Sequence, residues 1–328
     1  MKLELLGSWS FTRPKKVVGP TFCAAGEMVG AHLIDGTFEV RRGVSGMPVV
    51  ASLRLPKGAR VALDPRGERI AYVVGSTLTI AKLSGKAIAS AELPADVEVG
   101  QLELRRDGER LWVFGQGPEG FRLCAFDRDL RLAWEDVLDI GAEASPGVEL
   151  LHPSKDAFVV MTQSGGDDPD EATSGRLGIA REKGKLRRTF EEEVCTHPCV
   201  GFTADGRAMV GTDFVGCVLH AWPGYARVRQ VEQPEGSEGG LGGIVVGEHL
   251  LTERHDEEKP FTTSSLLVLA LPSLDEVAVL PWTKRGPFAK RKDNAGLDLF
   301  AALGDDSFVE LSTAEKGPWT CRGWRLRA

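Results

Sequence analysis

Between Arg60 and Pro94 the chain reads RVALDPRGERIAYVVGSTLTIAKLSGKAIASAELP. Apolar residues there come in short runs or alternate with polar ones, as in Leu78-Thr79-Ile80-Ala81-Lys82-Leu83, and a period of two fits a β-strand. Turn residues punctuate the runs at Asp64–Gly67, Gly75-Ser76 and Ser84-Gly85, so the segment predicts four short antiparallel strands joined by tight turns. The same opening, an apolar strand, an Asp-Gly type turn and a β-rich run, recurs as LELRRDGERLWVFGQG from Leu102 and VGFTADGRAMVGTDF from Val200. No window of a dozen residues keeps an i, i+3, i+4, i+7 apolar pattern free of Gly or Pro, which makes the expected class all-β.

The first turn of successive repeats falls at Gly26, Gly67, Gly108, Ser154, Gly206, Gly247 and Gly304, at intervals of 41, 41, 46, 52, 41 and 57 residues. Four short strands in about 40 residues is the length of one propeller blade. The longer intervals hold insertions at Thr162–Gly175, Glu253–Ser264 and Thr283–Asn294. After Gly304 the chain has room for strands at Ser307–Ser312 and Thr320–Leu326 but not for a fourth, while Leu3–Trp9 is left over at the other end. Pairing that segment with Thr320–Leu326 completes the last blade and removes the open edges of a linear array. The chain therefore resembles a seven-bladed β-propeller of the broad WD40-like or YVTN-like type. The resemblance covers residues 1–328 as one domain, with blades at about 10–56, 57–95, 96–140, 141–194, 195–235, 236–282, and 283–328 plus 1–9. No blade ends its third strand in Trp-Asp and no Gly-His pair opens a repeat. The third strands end instead at Leu83-Ser84, Asp127-Arg128, Glu182-Lys183, Trp222-Pro223 and Leu271-Pro272. The resemblance thus extends to the fold and not to a subfamily.

Composition narrows the function classes. With 40 Lys and Arg against 47 Asp and Glu, the formal charge is −7, which argues against nucleic acid or an anionic membrane as partner through overall charge. No stretch has the roughly 18 consecutive apolar residues that span a bilayer, and Met1–Lys16 lacks a signal-peptide core, so the expected location is the cytoplasm. Six scattered cysteines in 328 residues do not read as a disulfide framework and are expected to be reduced.

Candidate chemistry is sparse. Cys195, His197 and Cys199, with Cys217 and His220 a hairpin later, are metal-capable, but alternation along a strand sets the first three in a row about 7 Å apart. Such a row does not converge on one ion, and no metal or cofactor is expected. Asp167, Asp168, Asp170 and Glu171 form an acidic cluster without the spacing of a calcium loop. Asp256, Glu257 and Glu258 form a second, and Lys284, Arg285, Lys290, Arg291 and Lys292 a basic one around Phe288. There is no nucleophile elbow, P-loop, His-Glu-x-x-His or dinucleotide fingerprint. Propeller hydrolases, such as lactonase-like enzymes, build their sites from first-strand residues around a central channel, and Glu103, Glu149 and His197 are the candidates for that alternative. The primary expectation is a non-enzymatic scaffold that binds another protein through its longest loops, which carry the three charged clusters.

Overall fold

The computed structural model describes every residue except 13–21, 95–96, 106–107, 118–119, 139–146, 165–172, 193–198, 213–215, 233–236, 257–263, 283–298 and 313–317. The described residues form strands and no helix. Strand β1 (Lys2–Phe11) opens the chain and belongs to the last sheet. The first sheet is β2 (Phe22–Ala25), β3 (Met28–His32), β4 (Thr37–Arg42) and β5 (Val49–Arg54). The second is β6 (Arg60–Leu63), β7 (Arg69–Val74), β8 (Thr77–Lys82) and β9 (Ala87–Glu92). The third is β10 (Glu98–Leu104), β11 (Leu111–Gly117), β12 (Gly120–Phe126) and β13 (Leu132–Leu138). The fourth is β14 (Gly147–Leu151), β15 (Ala157–Ser164), β16 (Thr173–Glu182) and β17 (Lys185–Glu192). The fifth is β18 (Cys199–Phe202), β19 (Ala208–Thr212), β20 (Gly216–Ala221) and β21 (Arg227–Glu232). The sixth is β22 (Ser237–Val246), β23 (His249–Asp256), β24 (Ser264–Ala270) and β25 (Glu276–Trp282). In the seventh, β26 (Leu299–Leu303), β27 (Ser307–Ser312) and β28 (Trp319–Arg327) are completed by β1, in the order β1-β28-β27-β26. All pairings are antiparallel between neighbours.

The repeated first turn has a common chemistry. The Asp64 carboxylate accepts the Arg66 amide at 3.1 Å, and Gly67 closes the turn at φ 70°, a conformation that favours Gly. In the fourth sheet His152 Nδ1 takes the amides of Ser154 and Lys155 at 3.1 Å each, and Lys155, rather than the Ser154 expected from sequence, stands where the second and fifth sheets have Gly67 and Gly206. In the fifth, Thr203 Oγ1 accepts the Ala208 amide and Asp205 the Arg207 amide. Asp, His and Thr thus supply one function, an acceptor for turn amides that have no ladder partner.

The chain divides into two compact units. One comprises Thr12–Arg42 and Pro48–Cys195 and the other Met1–Phe11, Gly43–Met47 and Thr196–Ala328. In the first unit the core consists of layers between consecutive sheets: Phe38, Val61 and Ile70 between sheets one and two, Val73, Leu102 and Cys124 between two and three, and Trp112, Phe114, Phe158 and Ile179 between three and four. In the second unit Leu219, Leu250 and Leu274 fill the layer between sheets five and six, and Val268, Phe308 and Leu326 that between six and seven. Met47 is fully buried there, against Gly7 and Gly323, where an added Cβ would come within about 3.2 Å of its side chain. Third strands such as β20 are buried along most of their length, whereas fourth strands such as β21 are exposed at almost every position.

Candidate interaction surface

In a four-stranded antiparallel sheet, the second-to-third connection and the segment leaving the fourth strand open at one end. The other two connections open at the opposite end. Here the first end carries every long connection: 12–21, 139–146, 165–172, 257–263 and 283–298. The opposite end carries tight turns such as 64–68, 83–86, 203–207 and 271–275. Two expected insertions are shorter than the sequence suggested. The β15–β16 ladder runs on to Ser164↔Thr173, and β23–β24 to His255↔Ser264, through polar residues whose backbones still pair although the apolar pattern has ended.

The sequence-derived site residues fall on these connections. Asp167, Asp168, Asp170 and Glu171 lie in 165–172, Glu257 and Glu258 in 257–263, and Lys284, Arg285, Lys290, Arg291 and Lys292 in 283–298, all outside the described residues. Asp256 is the last residue of β23.

The tight-turn end presents paired charges among the described residues. In the first unit Arg69, buried, donates to the fully buried Asp64 at 3.0 Å and reaches the Gly108 carbonyl of the next sheet at 3.0 Å. Arg66 bridges to Glu109 at 2.7 Å and Arg105 to Asp156 at 3.2 Å, linking sheets two, three and four in turn. In the second unit Arg229 meets Asp275 at 3.1 Å and Arg325 meets Asp306 at 3.3 Å. Exposed pairs of this kind stabilise little, but each engages charge that a partner would otherwise meet.

The first-strand carboxylates proposed for a hydrolytic site are placed differently. Glu149 on β14 is held by the buried Arg176 of β16, with Nε at 2.7 Å and Nη2 at 3.0 Å, and the same guanidinium binds Glu192 of β17 at 2.9 Å. This bidentate pair ties the first, third and fourth strands of one sheet together. Glu103 on β10 accepts from Gln101 Nε2 at 3.1 Å. Burial pushes its carboxyl above the usual range, against the pull of that hydrogen bond. Gln101 also exchanges amide hydrogen bonds with Val148 of the next sheet. Cys23 on β2 has its thiol pushed far up by burial and by the charge of Glu103, which suppresses the nucleophilic thiolate. His197 and Cys195 lie outside the described residues. The described cysteines, Cys23, Cys124, Cys199, Cys217 and Cys321, are free thiols, and no group of three or more His, Cys, Asp or Glu among the described residues is arranged to hold a metal ion.

No family model matches the chain, and no curated protein matches it. Among solved structures it is similar to the β-propeller domain of Cps50 (Swd1) from Myceliophteria thermophila, with a TM-score of 0.56, 11% identity, and 98% of this chain and 100% of that chain covered. The fold is a seven-bladed β-propeller. At that identity the likeness concerns architecture alone, and 955 solved chains match, so the fold names no activity.

One surface of the propeller was missed from sequence. The hairpin between β16 and β17 carries Arg181, Lys183, Lys185, Arg187 and Arg188 within eight residues. The signal was present, five cations around a Lys-Gly turn, but that segment was read only as the end of a third strand.

Proposed function

We propose that this propeller is a non-enzymatic scaffold that holds another protein on the face where its long connections open. The observation that carries this reading is the segregation of connection lengths: 139–146, 165–172, 257–263 and 283–298 all leave at the second-to-third and fourth-to-first ends of their sheets. Several tight turns at the other ends pair their charges, the β16–β17 turn being the exception, whereas the long connections concentrate charge by sign, acidic at 167–171 and 256–258 and basic at 284–292. Connections charged in this way favour a partner of mixed charge and set encounter rate and register more than affinity. Hydrogen–deuterium exchange of the full chain, free and with a purified partner, tests it. Protection concentrated in the long connections is expected, and protection confined to the tight turns would contradict it.

A further inference from the structure

On a chain of net charge −7 the β16–β17 hairpin is an anomaly. Its two-residue turn places Lys183 at φ 50° and Gly184 at φ 85°, the geometry of a type I′ turn, with Glu182 opposite Lys185 and Arg181 opposite Leu186. Leu186 is buried in the layer between sheets three and four, while Lys183, Lys185, Arg187 and Arg188 are exposed. Arg188 is paired with Glu191 at 3.3 Å. Lys183, Lys185 and Arg187 have no ion-pair partner among the described residues, in contrast to the linked charges of the tight turns in the same unit.

Strand β17 is also the last of its sheet, so one row of its amides and carbonyls faces away from β16. That row already accepts a carboxylate. The Leu186 amide donates to Asp136 Oδ2 at 2.7 Å, and beside it the Arg181 guanidinium lies 4.6 Å from the centre of the Trp134 ring. Asp136 and Trp134 both come from β13, the fourth strand of the neighbouring sheet. At Leu186 the edge is therefore engaged by a carboxylate of this chain, and the cations on either side of it are left facing solvent.

We infer that the β17 edge is a docking site for an acidic, extended segment of a partner protein. Lys185 and Arg187 point to one side of the strand about 7 Å apart, the spacing of residues i and i+2 in an extended chain. A peptide with acidic residues at alternate positions matches both cations from the solvent side, the Leu186 amide between them being already engaged by Asp136. The alternative polyanion, single-stranded nucleic acid, gains from exposed aromatic platforms, whereas Trp134 is buried under Arg181 and Phe190 of β17 is half-buried. This surface lies apart from the long connections and does not rest on the scaffold reading of them.

The test uses the purified full chain and a short fluorescent peptide of alternating Glu and Val, with a Lys/Val peptide and an oligothymidylate of matched charge as comparisons. Anisotropy is expected to show salt-sensitive binding of the Glu/Val peptide, weakened at least about tenfold by K185E/R187E and less by K185Q/R187Q. Melting of both variants is expected to be unchanged. Equal binding of the Lys/Val peptide, or full affinity in K185E/R187E, would overturn the inference. So would tighter binding of the oligothymidylate, which would assign the edge to nucleic acid.

Discussion

Leu3 of β1 stands opposite Leu326 of β28, and the ladder they share runs on to Phe11 opposite Trp319, joining the two ends of the chain in one sheet. Strand β1 buries Leu6, Trp9 and Phe11, with Phe11 meeting Trp319 edge to face at 6.2 Å. Burying each large apolar side chain contributes about 1.5–3 kcal/mol, so the strand accounts for a large part of a typical domain's stability of about 5–15 kcal/mol. Deleting Met1–Trp9 is expected to abolish a cooperative melting transition or lower it by well over about 10 °C. Unchanged differential scanning calorimetry of the truncated chain would contradict closure through β1.

The buried pair Asp64–Arg69 supports a second prediction. Asp64→Ala leaves a guanidinium without its carboxylate at 7% exposure and removes the acceptor for the Arg66 amide, at a cost of about 3–5 kcal/mol. Asp64→Asn keeps an acceptor for that amide and should fall between Ala and the parent. In D64A/R69M the stranded charge is gone, and the urea midpoint should recover most of the loss. A double variant as unstable as D64A would show that the turn acceptor, not the ion pair, dominates.

Glu103 gives a pH dependence of definite sign. Burial raises its folded-state pKa above the ordinary value of 4.5, so on raising the pH the unfolded chain loses this proton first. Its contribution to stability is therefore present below pH 4.5 and is lost as pH rises from there through the folded-state value. Glu103→Gln keeps the shape and cannot ionise. The variant is expected to match the parent near pH 4 and to exceed it near neutrality in denaturant midpoint, while a variant that is weaker at every pH would mean that the ionised carboxylate is the stabilising form.

Legibility from sequence followed the range of the interactions. Gly67, Gly206 and Gly304 marked their turns because the backbone there takes positive φ, a local property. Leu3–Trp9 could be assigned to the last sheet because four strands per repeat left one place vacant. The Arg176 network was not readable, since Glu149, Arg176 and Glu192 belong to three strands and meet only after the sheet has formed. Met47 against Gly7 and Gly323 was hidden for the same reason. For Lys290, Arg291 and Lys292 the sequence offered charge and a place between blades, because no periodicity constrains such a segment.

The scaffold reading is tested most directly by the affinity of a purified protein partner for charge-reversed loops, with turn variants as the comparison. Lys290→Glu, Arg291→Glu and Lys292→Glu together are expected to weaken binding at least about tenfold, mostly through slower association at low salt, with melting unchanged. Arg66→Ala with Glu109→Ala, at the tight-turn end, is expected to bind as the parent does. Normal affinity in the loop variant with binding lost in the turn variant would contradict the account.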